Sequence, residues 1–508
     1  MIYLYFDGFT HFVATQALEL PQCSQSTMAS ISDLPVELLL TIFKSIYDDD
    51  TRMNDLRDDF FVEGYSEQSS HGSMRIEGDL HSATLFPMTV AFVCHHWRDV
   101  LAKSPEYWNR VVFEVGRDPT PLLDAFSWSK DQILDVLVWN RIPDLTAAGK
   151  ALENERVSAI TQSLIPHFHR CSSISYEVTY ASSLPPITTL FQTEPHVLRQ
   201  LVFDPRVDDI QYDHPIKLED PNIPIVPFAS LAVLWLSARL FIDLGRVNPS
   251  WLHNLRSDAY LTLTLSQFRF QQQRYNDDKS HSLPEFLNHL AAMPQPEVLR
   301  LRNLSLTYEP GMSTTDPTYS VKPTSLFLEN LGENFLAEFF ERTILSCDNL
   351  FINRCTIPWI DRPLNPTYLH LDNMGYIHNI CNILWAWQGS HLSLDSCASF
   401  DDDLLDRLED EGRHWCLKTL TDLTLKDCIN FTSAGLRKLI MLQRAMATED
   451  IGQVTLGRVS VEGGRLSLRE DDISWFRQQR SSTNVTWTII HPDGTYAYPL
   501  NHYKLGED

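Results

Sequence analysis

The chain has 508 residues, 43% of them hydrophobic and 21% charged, and carries a formal net charge of −25. That length and apolar share are enough for more than one domain with a buried core. The acidic excess argues against nucleic acid, whose binding rests on Lys and Arg neutralising phosphates, and favours protein partners. The first twenty residues are mildly apolar, but Asp7 and Glu19 interrupt them and no basic region precedes them, so a signal peptide is not expected. Residues 1–30 are expected as an unstructured tail. From Leu34 the chain reads Leu-Pro-Val-Glu-Leu-Leu-Leu-Thr-Ile-Phe, which predicts a helix starting at Pro35, where the missing N–H is harmless. At about 100° per residue, Val36, Leu38, Leu39, Leu40, Ile42, Phe43 and Ile46 cover roughly 200° of that helix, twice the usual stripe. Glu37, Thr41, Lys44 and Ser45 fill the remainder. A short helical module has too little interior to bury so wide an arc, so a second protein is expected to cover the surplus.

Farther on come Val93-Cys94-His95-His96-Trp97-Arg98-Asp99 and Trp108. Taken together, Leu34, Pro35, Glu37, Leu38, Leu39, Ile42 and Phe43, then Val93, Cys94, Trp97, Arg98, Leu101 and Trp108, resemble an F-box. The likeness is to the F-box-like kind found in large fungal families, and it covers residues 31–115. Members of that family fold the segment into three helices and dock it on the Skp adaptor of a cullin–RING ubiquitin ligase. The resemblance therefore implies an adaptor-binding surface at Leu34, Pro35, Leu38, Leu39, Ile42 and Phe43. It implies that Val93, Cys94, Trp97 and Trp108 hold the module together. One departure is an insertion between the halves. Residues 48–83 carry a net charge of −7 and few apolar side chains. Such a segment does not bury enough surface to offset chain entropy and is expected to be unstructured. Loop-closure cost grows only logarithmically, so the fold tolerates it.

From about Pro119 short apolar triplets recur, each followed by turn residues and a helical stretch. Strand cores are expected at Leu134, Ile174, Leu201, Leu234, Leu263, Leu299, Leu326, Leu350, Leu369, Leu392 and Leu423. From Leu201 onward their spacing varies between 19 and 36 residues, which suggests repeats that each supply a strand and a helix to a curved stack. The clearest copy, Leu420-Thr421-Asp422-Leu423-Thr424-Leu425-Lys426-Asp427-Cys428, looks like a leucine-rich repeat of the cysteine-containing type. Leu423 and Leu425 should point inward, Thr424 and Lys426 to the concave face, and Cys428 should cap the turn. Leu350–Cys355 and Leu392–Cys397 repeat that offset. Concave positions Asn353, Asp372, Ser393, Thr424 and Lys426 are the geometric candidates for gripping a protein target. Near the end, two runs of β-formers flank His491-Pro492-Asp493-Gly494, predicting a hairpin over 485–498 that caps the stack.

The expected architecture is thus α+β overall: a small all-α F-box over 31–115, then an irregular α/β leucine-rich-repeat solenoid over 116–500. No nucleotide-binding glycine loop and no Gly-x-Ser-x-Gly elbow occurs. There is no Cys-x-x-Cys or His-Glu-x-x-His pair for zinc either. His167 and His169 could share a face of an extended segment, but two ligands do not make a site. Asp401-Asp402-Asp403 reads as the acidic opening of a helix at Leu404–Leu408. Nine scattered cysteines suit a reducing compartment, and no apolar run is long enough to span a bilayer. The expectation is a non-catalytic subunit of a ubiquitin ligase, cytoplasmic or nuclear, without metal or cofactor. It would join Skp and cullin to a protein substrate and bind neither nucleic acid nor membrane. The alternative is a repeat scaffold that uses its F-box in a complex other than a ligase.

Overall fold

The computed structural model describes residues 34–47, 86–186, 197–210, 230–247, 261–271, 281–308, 318–410, 419–449, 455–463, 468–479, 483–490, 496–497 and 500. The tail expected at 1–30, the acidic insertion at 48–83 and the turn at 491–494 lie outside the described residues. The chain forms two units, dividing between Trp108 and Asn109.

The first unit is helical. Its elements are a helix over 36–47, the short helix Met88–Ala91, the helix His95–Leu101 and the 3-10 turn Pro105–Tyr107. Pro35 stands just before the first helix, its carbonyl accepting the Leu39 N–H at 3.1 Å, so it caps that helix rather than beginning it. Phe43 meets the Trp97 ring edge-on at 5.3 Å, and Phe86 packs against Tyr107 at 5.1 Å. The Trp108 indole N–H donates to the Leu101 carbonyl at 2.9 Å. These aromatic contacts join the first helix to the segment beyond the insertion, as small modules need large side chains to fill a small core.

The second unit is mixed α/β, built on one long, mainly parallel sheet. Its first strands are β1 (Arg110–Glu114), β2 (Leu134–Trp139), β3 (Cys171–Glu177), β4 (Gln200–Phe203), β5 (Val233–Ser237), β6 (Thr262–Phe270) and β7 (Val298–Leu306). There follow β8 (Tyr319–Val321), β9 (Ser325–Glu329), β10 (Thr343–Leu345), β11 (Asn349–Asn353), β12 (Tyr368–Asp372) and β13 (His391–Asp395). The last are β14 (Asp422–Lys426), β15 (Arg458–Glu462), β16 (Asn484–Ile490) and β17 (Tyr496–Ala497). Fifteen of them form the main sheet in chain order, while β8 and β10 pair separately. Among the described residues, β17 alone is antiparallel, pairing with β16. Because β1 pairs with β2, residues 110–114 belong to the sheet, and the boundary expected at 115 moves back to Trp108.

All eleven expected strand cores lie in strands, and ten of them share a single register row. That row runs Ile174, Leu201, Leu234, Leu263, Leu299, Leu326, Leu350, Leu369, Leu392, Leu423, and extends to Val111 and Val136 on one side and Val459 and Val485 on the other. None of its members is more than 8% exposed. Each such side chain contributes about 1.5–3 kcal/mol by leaving water, so the row is the spine of the core. Helices such as Leu283–Ala292 and Glu333–Arg342 supply the facing layer, Phe270 meeting Phe286 at 5.1 Å and Phe335 at 5.9 Å.

Strands β6, β7, β9, β11, β12, β13, β14 and β15 turn at one level. Gln267, Asn303, Asn330, Arg354, Asn373, Ser396 and Asp427 adopt φ between 51° and 54° there, and Gly463 adopts 74°. A Cβ on Gly463 would also run into the Asp427 carboxylate. Cysteine follows the left-handed residue at three of these turns. The thiols of Cys355, Cys397 and Cys428 donate to the carbonyls of Leu328, Leu371 and Leu394 on the preceding strand, at 3.3, 3.4 and 3.6 Å. They are buried turn caps, as the sequence offset suggested. Burial pushes the Cys355 thiol up to about 12, which makes it inert as a nucleophile.

Candidate functional site

Two surfaces collect the candidate residues, one on each unit. On the helical unit, successive 100° steps divide the apolar arc between core and solvent. Leu39 and Phe43 are fully buried, whereas Leu38 and Ile42, one turn apart on the neighbouring shoulder, are 54% and 38% exposed. Pro35 and Val36 are exposed beside the helix start, and Leu34 is half-buried. Leu39 and Phe43 therefore leave the expected adaptor-binding set: they form the module's own interior because Trp97 and Phe86 claim their face. Trp97 and Trp108 are buried as expected of structural residues, and Cys94 is half-buried. Val93 is 49% exposed, as is Phe92, so it does not hold the module together.

On the sheet, residues that alternate with the leucine row face the other way; from β9 to β14 most are half-buried, Ser393 is buried and Lys426 exposed, whereas on β3 to β6 Ser173, Ser175, Val202, Thr264 and Ser266 are buried too. All five candidate residues lie there, in two adjacent register rows. Asn353, Asp372, Asp395 and Lys426 form one, preceded by Glu329; Ser393 and Thr424 belong to the other, preceded by Phe327, Phe351 and His370. Four residues of this face were not anticipated from the sequence. Arg300 lies 4.2 Å over the Phe327 ring, and Phe327 stacks on Phe351 at 4.1 Å with planes only 3° apart. Phe351 then meets His370 at 5.8 Å, and His370 Nδ1 lies 3.0 Å from Ser393 Oγ. The signal lay in the middle letters of Leu326-Phe327-Leu328 and Leu350-Phe351-Ile352, which alternation turns toward one another once the strands are aligned.

Charge on this face is unevenly matched. Glu329 lies 3.4 Å from Arg300 and 3.8 Å from Arg302, and Lys426 pairs with Asp395 at 3.0 Å. The Asp372 carbonyl accepts the Arg354 N–H at 3.2 Å; burial raises its carboxyl above the ordinary value, and the Asp395 charge adds to the rise against the opposing charges of His370, Arg354 and Lys426. Burial also lowers the His370 imidazole below its usual value. Toward the first strands, burial lifts the Asp204 carboxyl to about 6 against the opposing charge of Arg302. Arg302 also lies 5.7 Å over Trp235, whose indole N–H donates to Ser266 at 2.9 Å.

Other polar clusters have local explanations. His167 and His169 occupy the 3-10 turn Ile165–Arg170, not an extended segment, and His167 stacks on Phe126 at 6.0 Å. Asp401 Oδ1 accepts the Leu404 N–H at 2.8 Å and opens the helix Asp402–Asp410, as expected. Among the described residues, no group of three or more His, Cys, Asp or Glu is placed to hold a metal ion. Among them, too, no helix is long and apolar enough to cross a membrane. The chain matches no protein-family model and no curated protein.

Proposed function

We propose that this chain is the substrate receptor of a Skp–cullin–F-box ubiquitin ligase, acting in the cytoplasm or nucleus. In this reading residues 31–108 are an F-box that docks on Skp. The long sheet is a leucine-rich-repeat-like solenoid whose half-exposed face holds a protein target. The chain breaks and makes no bonds itself; it raises the effective concentration of the target near the ubiquitin-charged enzyme.

The observation that carries the proposal is the exposure of Leu38 and Ile42 on a helix whose adjoining face is buried. Two neighbouring branched side chains left about half in water forgo about 1 kcal/mol each, which a partner recovers by covering them. The order of the Leu-Pro start and the Val-Cys-x-x-Trp signature supports Skp as that partner. Affinity purification of the full chain from cells tests this directly. Wild type is expected to bring down Skp and cullin together. Leu38→Glu with Ile42→Glu should lose both, while Thr41→Glu on the polar side should keep them. Retention of Skp by the double variant would put the binding face elsewhere. Skp without cullin would instead favour a scaffold outside any ligase.

A further inference from the structure

Phe327 and Phe351 are register partners on neighbouring strands, and their rings lie 3° from parallel with centres 4.1 Å apart. Coplanar rings would sit farther apart, so these overlap face to face. Register partners are displaced across a sheet by about 4.8 Å, which makes the row itself the stacking direction. The two rings therefore stand upright on the strands with their edges turned outward. Arg300, the register partner of Phe327 on its other side, holds its guanidinium 4.2 Å from that ring. A cation takes the negative face of a ring and leaves the positive edge. Beyond Phe351, the rings of Tyr368 and His370 lie 5.6 and 5.8 Å away, tilted by 52° and 51°. All four aromatic residues are half-buried on the face opposite the leucine row.

Net charge does not choose the occupant of this floor. In its row and the next, Arg300, Arg302 and Lys426 stand against Glu329, Asp372 and Asp395, three and three. Burial also holds His370 toward its neutral form. What is offered is a strip of electropositive ring edges, and its complement is the negative face of another aromatic ring. We propose that this face anchors an extended segment of the target by one aromatic side chain, laid face-down across the outer edges of Phe327 and Phe351. The inference rests on the substrate-receptor reading and names the class of segment it takes. An aliphatic side chain of equal area gains the burial but not the edge-to-face attraction. Polar and charged residues around the strip then form the rim that surrounds an aromatic anchor at the centre of an interface.

The probe is a positional-scanning library of decapeptides, titrated against the full chain. Trp, Phe or Tyr should be selected at one position over Leu and Met, whatever the charge of the peptide. The best phenylalanine peptide is then compared with its cyclohexylalanine counterpart, similar in size but without the ring quadrupole. The phenylalanine form should bind wild type about threefold to tenfold tighter, the range of one edge-to-face pair. Phe327→Leu and Phe351→Leu should each bring that ratio toward one. Trp359→Leu, at an exposed ring in the connection between β11 and β12, should keep it. Partial unfolding of a variant lowers both affinities alike and leaves the ratio unchanged, so it does not mimic the effect. Equal binding of the two peptides by wild type, selection by charge without an aromatic, or a ratio that survives both leucine variants would each overturn the inference. Enriched peptides without an aromatic, whose binding still falls with Phe351→Leu, would sink this inference while leaving the target-binding face in place. A library that enriches no peptide would sink the face as well.

Discussion

Arg354 holds a φ of 52°, a left-handed backbone that costs an ordinary L-residue about 1–2 kcal/mol. Asn303, Asn330 and Asn373 fill the same position on other strands, where a short polar side chain makes that conformation easier. The Arg354 side chain is exposed, so its replacement disturbs no packing. Arg354→Asn is therefore expected to stabilise the second unit by ~0.5–1 kcal/mol, read as a higher urea midpoint at unchanged slope. A lower midpoint would mean that the turn is held by something other than backbone preference. The aligned turns were not anticipated, because seven of the eight positions carry a side chain and only Gly463 announces a positive φ. Cysteine was the legible part of the same feature, since a small buried thiol recurs one step after the turn at Cys355, Cys397 and Cys428.

Among elements, the helix over 36–47 shows what periodicity does and does not determine. Its 3.6-residue period revealed an apolar arc too wide for one interface, and the exposure of Leu38 and Ile42 agrees with that. The period did not say which shoulder turns inward, because that choice belongs to Phe86 and Trp97, which lie beyond the insertion. Phe43→Ala should accordingly destabilise the helical unit by ~3–5 kcal/mol, whereas Ile42→Ala should stay within ~0.5 kcal/mol. Native-state amide exchange of residues 36–47 measures both; equal effects would contradict the division of the helix into a core face and a free face. Strands were legible wherever Leu-x-Leu recurs. The strands β1 and β15 escaped because Val-Val-Phe and Val-Ser-Val stand there in place of Leu-x-Leu, β1 moreover just after Trp108, where the helical module had claimed it. The aromatic stack of Phe327 and Phe351 arises only from register, a property of two strands that neither spells alone.

At the scale of the whole molecule, a continuous leucine and valine row explains how an irregular repeat keeps a regular sheet. Spacings that vary between 19 and 38 residues are absorbed in the connections, while the row itself stays in step from Val111 to Val485. One face of that sheet is committed to the core; in the proposed function the other, from β9 to β14, is the one that holds the target. The helical unit adds a separate apolar shoulder at Leu38 and Ile42; the proposed receptor uses that surface for the assembly and the sheet for the target. Hydrogen–deuterium exchange of the full chain with and without purified Skp adaptor tests that division most directly. The account predicts that saturating Skp slows exchange across residues 36–47 and leaves β11 to β14 unchanged. Exchange in 36–47 that is the same with and without Skp would contradict it.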